Sequence, residues 1–450
     1  MLELGSDVLV VFLSDSHIGG DPGCDGFESP ERLESLFMEL AGREGPVELV
    51  LAGDFFDFLQ IGAVPEGKDR AALTVGRPEY AGMFAALRRL REGEGKRVVY
   101  LPGNHDAEVW WNPAVRRTLR EEGLVDEFAF SYLAAMDPGD GRRRVVYCEH
   151  GNQLDPANAV GDYGDRLDTP LGHHVVTDFT RRLAPIGEVP GGLDLSEIKM
   201  VYPLVAIPRW VLSRFFYALL SKGGLYLLLP LLVAYAVYRS AAYVVSVSRG
   251  QGDGFLASYE ALPGLHWLFA EIFGFAVVVA VIFGLAFFAF RRAVRKAVGA
   301  VGGEGGDYDP AGDSRRRIEG ILRGEGSLPM SSFGEPERID VFVSGHTHLP
   351  ALEVLEERGR RRVVVNSGCF LRQLRPVAPI TREPPVFVSR FVLTHVRIFA
   401  REGELRVELW EHPKPAEQRL GWVERLFAAG RLPEQPEAKA RARIRTAAVV

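Results

Sequence analysis

The sequence predicts a layered α/β domain interrupted by an apolar helical insertion. Three observations carry that prediction. Short β-branched runs recur, each ending in a turn rich in Gly, Asp, Asn or His; five of the ten histidines fall in those turns; and nineteen consecutive residues, Ile272 to Phe290, hold no charge. Continuous apolar runs of five or so residues fit strands buried on both faces. Sheets of that kind gather their ligands at strand ends.

In order, Val8–Leu13 leads to Asp15, Val47–Leu51 to Gly53-Asp54, Arg97–Leu101 to Gly103-Asn104-His105, and Val145–Cys148 to His150. Far downstream, Ile339–Val343 leads to Gly345-His346 and Arg362–Val365 to Asn366. Helices lie between, such as Glu31–Ala41, for which Ser29 offers a cap and Pro30 the first helical residue. The chain has no basic N-terminal region before Val8, so its start reads as a strand and not as a signal peptide. Three scattered cysteines argue against a disulfide framework and for a reducing compartment. A net charge of −6 argues against a nucleic-acid partner, whose footprint would be basic.

The composition changes after residue 200. Residues 201–222 mix apolar side chains with Arg209 and Arg214, which suits a helix lying in a membrane interface. Residues 223–247 are apolar except for Arg239. The Ile272–Phe290 run spans roughly 28 Å as a helix, close to the hydrocarbon thickness of a bilayer. Because chemically paired motifs flank the insertion on both sides, an even number of crossings is required. The segment reads as a two-helix transmembrane hairpin with a short far loop at 248–267. Arg209, Arg214 and Lys222 before it, and Arg291, Arg292, Arg295 and Lys296 after it, place the rest of the chain on the cytoplasmic side. The expected organisation is a catalytic domain in two parts, 1–200 and 336–412, around a membrane insertion at 201–297. A flexible linker at 298–335 and a C-terminal tail at 413–450, with little reason to pack, complete it.

Five motifs share one chemical theme: Asp15-Ser16-His17, Gly53-Asp54-Phe55-Phe56-Asp57, Gly103-Asn104-His105-Asp106, His150-Gly151-Asn152 and Gly345-His346-Thr347-His348. Asp, His and Asn are ligands for manganese, iron or zinc, and the absence of Cys disfavours a structural zinc site. So many ligands suit two ions sharing a carboxylate, about 4 Å apart, that clamp a phosphoryl group between them.

The order D-x-H, GDxxD, GNHD, H, GHxH resembles the calcineurin-like metallophosphoesterase superfamily, over roughly residues 1–160 and 335–400. The resemblance implies a β-sandwich flanked by helices and two divalent ions, manganese foremost. It implies that Asp15, His17, Asp54 and His348 hold one ion, and that Asp54 bridges to a second held with Asn104, His150 and His346. His105 is implied as the catalytic acid, oriented by Asp106, with Asp57 as a supporting carboxylate. Asn152, Gln153 and Asp155, beside a ligand, are candidates to touch substrate. Phe58 stands where protein Ser/Thr phosphatases carry Arg, and Asp57 where purple acid phosphatases carry Tyr. A nearer likeness is to the UDP-2,3-diacylglucosamine hydrolase-like branch, which also inserts helices before GHxH but has Arg where this chain has His105. The expected activity is therefore membrane-anchored hydrolysis of a phosphoester or pyrophosphate bond in a lipid-linked substrate. A soluble phosphodiester such as a cyclic nucleotide, and a non-catalytic membrane scaffold or sensor, stand as alternatives.

Overall fold

The buried runs form strands where the sequence places them. In a computed structural model, which describes residues 1–189, 193–203, 206–223, 229–250, 309–357, 359–380 and 384–450 with part of 267–292, the strands of the first half are β1 (Leu2–Leu4), β2 (Leu9–Leu13), β3 (Val47–Ala52), β4 (Lys96–Leu101), β5 (Glu127–Phe128), β6 (Tyr132–Met136) and β7 (Arg144–Cys148). A small hairpin follows, β8 (Glu188–Val189) and β9 (Leu193–Asp194). The second half adds β10 (Ile339–Ser344), β11 (Ala351–Glu357), β12 (Arg360–Asn366), β13 (Phe370–Val377), β14 (Val386–Arg401), β15 (Glu404–Glu411) and β16 (Arg443–Val449).

They make two large sheets. One runs β1-β6-β7-β10-β12-β11, the other β16-β15-β14-β2-β3-β4-β5 with β13 also on β14. Alternation along β2 shows how the layers stack. Val10 and Phe12 enter a core shared with Val146, Cys148, Val341 and Val363 of the other sheet. Leu9, Val11 and Leu13 face Leu33 and Phe37 of helix Pro30–Gly42 and Phe84 and Leu87 of helix Ala81–Arg91. The result is a β-sandwich with helices outside, its central strands β2, β3 and β10 buried on both faces.

This arrangement positions the site. β2, β3 and β4 are parallel and level, Leu13 pairing with Leu51 and Leu51 with Tyr100. β7 and β10 are parallel in the facing sheet, with Cys148 beside Val343. The residues after all five strands therefore leave the sandwich at one rim.

Several expectations change. Ser29 stands at the N-cap position of its helix but makes no capping hydrogen bond, and its Oγ instead accepts from Lys414 Nζ at 3.2 Å. The stretch expected as linker contains helix Pro310–Leu322, whose Ile318, Ile321 and Leu322 pack on Tyr147 and Phe342. The expected loose tail is folded: helix Trp422–Phe427 packs on Val386 and Val388, and β16 extends the larger sheet beyond β15.

The amphipathic segment 201–222 is also different. Its helix, Ile207–Gly223, turns Trp210, Ser213, Arg214 and Tyr217 onto the sandwich, all buried. Tyr217 Oη donates to Pro384 O at 2.8 Å, and Arg214 pairs with Glu197 and Glu424, both at 2.8 Å. Protein thus covers the stripe that was expected to face lipid. Among the described residues no helix is long and apolar enough to cross a membrane. The expected far loop 248–267 lies largely outside the described residues, as does part of the Ile272–Phe290 span.

Beneath β14 and β15 sits a buried histidine pair. Arg397 Nε donates to His395 Nε2 at 2.8 Å, and His395 Nδ1 lies 3.0 Å from His412 Nε2. Burial and then Arg397 push His412 down from 6.5 to about 4, and burial and then His412 push His395 well down. The unfolded chain would bind a proton near pH 6.5 that the fold refuses until about 4. Stability is therefore intact above the upper value and falls as pH drops through that window, by about 1.4 kcal/mol per pH unit for one such group. Melting temperatures of a His412→Gln variant, whose amide oxygen still accepts from His395, are expected to fall less steeply over this range than those of the wild type.

Candidate metal centre

Backbone strain marks the site first. Among the described residues six non-glycine residues have left-handed φ, and five of them are Asp15, His17, Asp54, His346 and His348, with φ between 47° and 65°. Such conformations persist only where surrounding structure holds them. Main-chain bonds do so here: Asp15 N donates to Gly53 O at 3.1 Å, His17 N to Asp54 O at 2.9 Å and Gly345 N to His150 O at 2.8 Å.

Two glycines allow the close approach. A Cβ on Gly53, at φ 84°, would meet the His150 ring, 2.5 Å from its Cγ. One on Gly103 would meet the Asp54 carboxylate, 2.7 Å from its Cγ. Gly103→Ala is expected to displace Asp54, lowering stability by about 1–3 kcal/mol as overpacking does, and phosphodiester hydrolysis at least tenfold. Thermal melts and a bis(p-nitrophenyl) phosphate assay check both.

The side chains then converge. Ligand atoms of Asp15, His17 and His348 lie within 4.8 Å of one another, as do those of Asp15, Asp54 and His150, and those of His17, Asp54 and His105. His17 Nε2 and His348 Nε2 are 3.1 Å apart, and His348 Nε2 is 3.1 Å from Asp15 Oδ1. His150 directs Nε2 to within 3.2 Å of Asp54 Oδ2, while its Nδ1 lies 2.9 Å from Ala52 O. That carbonyl can only accept, so Nδ1 carries the proton and Nε2 keeps its lone pair for a ligand bond. Asn104 lines the same cavity.

These residues fit divalent cations. Asp15 Oδ1, Asn104 Oδ1 and His150 Nε2 are buried and make no hydrogen bond. A buried polar atom left so costs about 1–3 kcal/mol, and these three are the ligand atoms that cations would satisfy. The electrostatics agree. Burial would raise the Asp54 carboxyl, but His150 and His105 hold it well below the ordinary range. Burial would lower His150, yet Asp54 and Asp15 raise it to about 10. The cluster favours positive charge.

The remaining candidates sort by their contacts. His105 Nδ1 lies 2.9 Å from Asp57 Oδ1, and Asp57 Oδ2 lies 3.6 Å from His17 Nδ1. Burial raises Asp57, but His105 and His17 hold it at about 2. The carboxylate that orients His105 is therefore Asp57, not Asp106. Asp106 accepts from Gly103 N at 2.6 Å, Phe55 N at 3.0 Å and Tyr100 Oη at 2.5 Å, which ties the third motif to the second from beneath.

His346 lies beside His150, with ring centroids 5.5 Å apart, and its Nε2 is 3.1 Å from Asp155 Oδ2. It lines the cavity but stands outside the three close groups, and Asp155 orients it. Asn152 and Gln153 do not line the cavity. Asn152 Nδ2 donates to Asn158 O at 3.0 Å and Gln153 Nε2 to Val160 O at 2.6 Å, so both brace the loop after β7 instead of reaching toward substrate.

Sequence reasoning missed Lys199, Tyr202 and Gln373, which also line the cavity. Tyr202 stacks on His348 at 5.1 Å with a 16° interplanar angle. Tyr202 falls in the stretch that the sequence marks as largely apolar, and neither Lys199 nor Gln373 lies in one of the five motifs.

A sandwich whose two sheets deliver carboxylates and imidazoles to one rim has the makings of a metal centre. Residues 8–185 match the family model of the calcineurin-like phosphoesterases, and a domain of that kind in this region indicates a hydrolase acting on phosphoester bonds. Four of the five motifs lie within the match, and the fold brings the fifth to them across the insertion. No curated protein matches the chain.

Proposed function

We propose that this protein is a membrane-anchored phosphohydrolase, acting at the cytoplasmic face on a phosphoester or pyrophosphate bond of a lipid-linked substrate. The observation that carries the reading is where the insertion begins and ends. Val201, Tyr202 and Pro203 at its start and Pro310 beyond its end all line the cavity that holds the metal cluster. A substrate held by the insertion is thereby delivered to the site.

The surface of the insertion supports the anchor. In helix Leu229–Ser248, Arg239 and Ser246 are buried while Val233, Val237, Val244 and Val247 face outward. Among the described residues of 267–288, Trp267, Phe273, Phe275, Leu285 and Phe288 are all more than half exposed. An apolar surface on this scale calls for lipid or a partner.

In the proposed chemistry, Asp15, His17, Asp54 and His348 would hold one divalent ion, and Asp54, Asn104, His150 and His346 would hold the other, with manganese the first choice. When bound, the ions supply Lewis-acid charge to the phosphoryl group and to water. The chain supplies the rest. Tyr202 fixes the His348 ring, Asp155 fixes His346, and Ala52 O fixes the tautomer of His150. Asp57 holds His105 so that its Nε2 faces the cavity and can give a proton to the departing oxygen.

The test is to reconstitute the full-length chain in vesicles with Mn²⁺ and compare a lipid-linked pyrophosphate with bis(p-nitrophenyl) phosphate. The vesicles are expected to carry the protein on flotation and the lipid substrate to be cleaved faster. Protein left at the bottom of the gradient, or no preference for lipid, would sink the membrane reading and leave the phosphoesterase intact. Lipid that co-purifies with the protein would identify the substrate directly.

A further inference from the structure

Next to His348 in sequence, Leu349 and Pro350 border a second cavity, of about 750 Å³, lined also by three arginines from three strands. Arg375 belongs to β13, Arg390 to β14 and Arg445 to β16. Arg445 occupies a shift in the β15–β16 register, between the pairs Leu409–Thr446 and Trp410–Ile444. A bulge of that kind re-aims a side chain. Around the cavity six cationic side chains face three acidic ones.

Among the described residues none of the three arginines has a close carboxylate to itself. The Arg390 side chain makes no hydrogen bond or ion pair among the described residues. Arg375 Nε donates to Gln373 Oε1 at 2.7 Å and its Nη2 to His348 O at 3.3 Å, both neutral acceptors. Arg445 reaches Glu411 only at 3.8 Å, and Arg443 already holds that carboxylate at 2.7 Å. Three guanidinium groups held against their mutual repulsion are stabilised by an anion among them, and their planar forks match phosphate oxygens two at a time. The volume lies within the range of small-ligand sites.

We propose that this cavity binds a phosphate-bearing ligand, clamped by Arg375, Arg390 and Arg445, at a site separate from the metal cluster. It uses no residue of the metal cluster, so it stands whether or not the lipid-substrate reading holds. Its neighbourhood gives it reach. Arg375 also lies over the Tyr202 ring at 5.2 Å, and that ring stacks on His348, so an occupant would bear on a wall of the catalytic cavity.

The test uses the full-length chain in detergent with EDTA present, which removes metal-dependent phosphate binding at the cluster. Calorimetric titration with inorganic phosphate and pyrophosphate is expected to give saturable binding that weakens as salt rises. In an Arg390→Gln/Arg445→Gln double variant it should weaken at least about tenfold, the loss expected for removed charged hydrogen bonds. Both residues are exposed, so the variant should melt like the wild type, and with Mn²⁺ it should still cleave bis(p-nitrophenyl) phosphate. Phosphatidylcholine vesicles with and without phosphatidic acid separate the sources. A preference for phosphatidic acid that the double variant loses assigns the occupant to a lipid headgroup, and binding of free pyrophosphate alone assigns it to a soluble ligand. No saturable binding of any probe, or binding unchanged in the double variant, overturns the proposal.

Discussion

Asp54→Asn is expected to abolish hydrolysis and strip the protein of metal while leaving it folded. Asp54 belongs to two of the three close ligand groups and lies 3.2 Å from His150 and 3.7 Å from His17. Its other oxygen accepts from His105 N at 2.8 Å, a bond that an amide oxygen can keep. The substitution thus removes a charge shared by both proposed ions with little change of shape. A loss of about a thousandfold in rate corresponds to about 4 kcal/mol of transition-state stabilisation, a magnitude in keeping with the loss of Lewis-acid charge. Elemental analysis of wild type and variant, with a thermal melt of each, reads all three parts of the expectation. A variant that retains metal and rate would remove Asp54 from the centre.

His105→Ala is expected to separate binding from chemistry. The ring lies edge-on to His17 at 4.4 Å and is held by Asp57, so it reaches the cavity without closing a metal site alone. Metal content should stay at the wild-type level while kcat falls by about 10²–10⁴, the range of a lost general acid. The fall should be smaller for a substrate with a good leaving group such as p-nitrophenolate than for an alkyl phosphoester, because only the latter needs the proton. Asp57→Asn, which frees the imidazole without removing it, should show the same leaving-group dependence in weaker form. Equal losses on both substrates would assign His105 a positioning role.

The ligand set was legible because its code is local. A strand buried on both faces is a continuous apolar run, and the Gly, Asp, Asn or His after it is the only place where such a strand meets solvent. Partner choice was not legible. Asp57 and Asp106 are each within a few residues of a ligand, and which one meets His105 depends on how two turns fold over each other. Asn152 and Gln153 look like substrate groups by type, yet their amides close a loop. The tail and the Pro310–Leu322 helix were missed for a different reason. RIRTAAV alternates too weakly to announce a strand and is stabilised by pairing with β15. The helix buries one stripe, Ile318, Ile321 and Leu322, beyond a glycine-rich stretch that masks it. Residues 201–222 illustrate the converse: an amphipathic stripe fits a lipid interface and a protein groove equally well, and the buried Arg214 pairs decided for protein.

Metal content measured together with activity tests the central claim most directly, that carboxylates and imidazoles from five separate segments form one dinuclear centre. The purified full-length chain, loaded with Mn²⁺ and freed of excess, should carry two ions per molecule by elemental analysis. It should cleave bis(p-nitrophenyl) phosphate, lose that activity with EDTA, and regain it when Mn²⁺ is returned. Undiminished cleavage by a chain shown to hold no divalent metal would contradict the account.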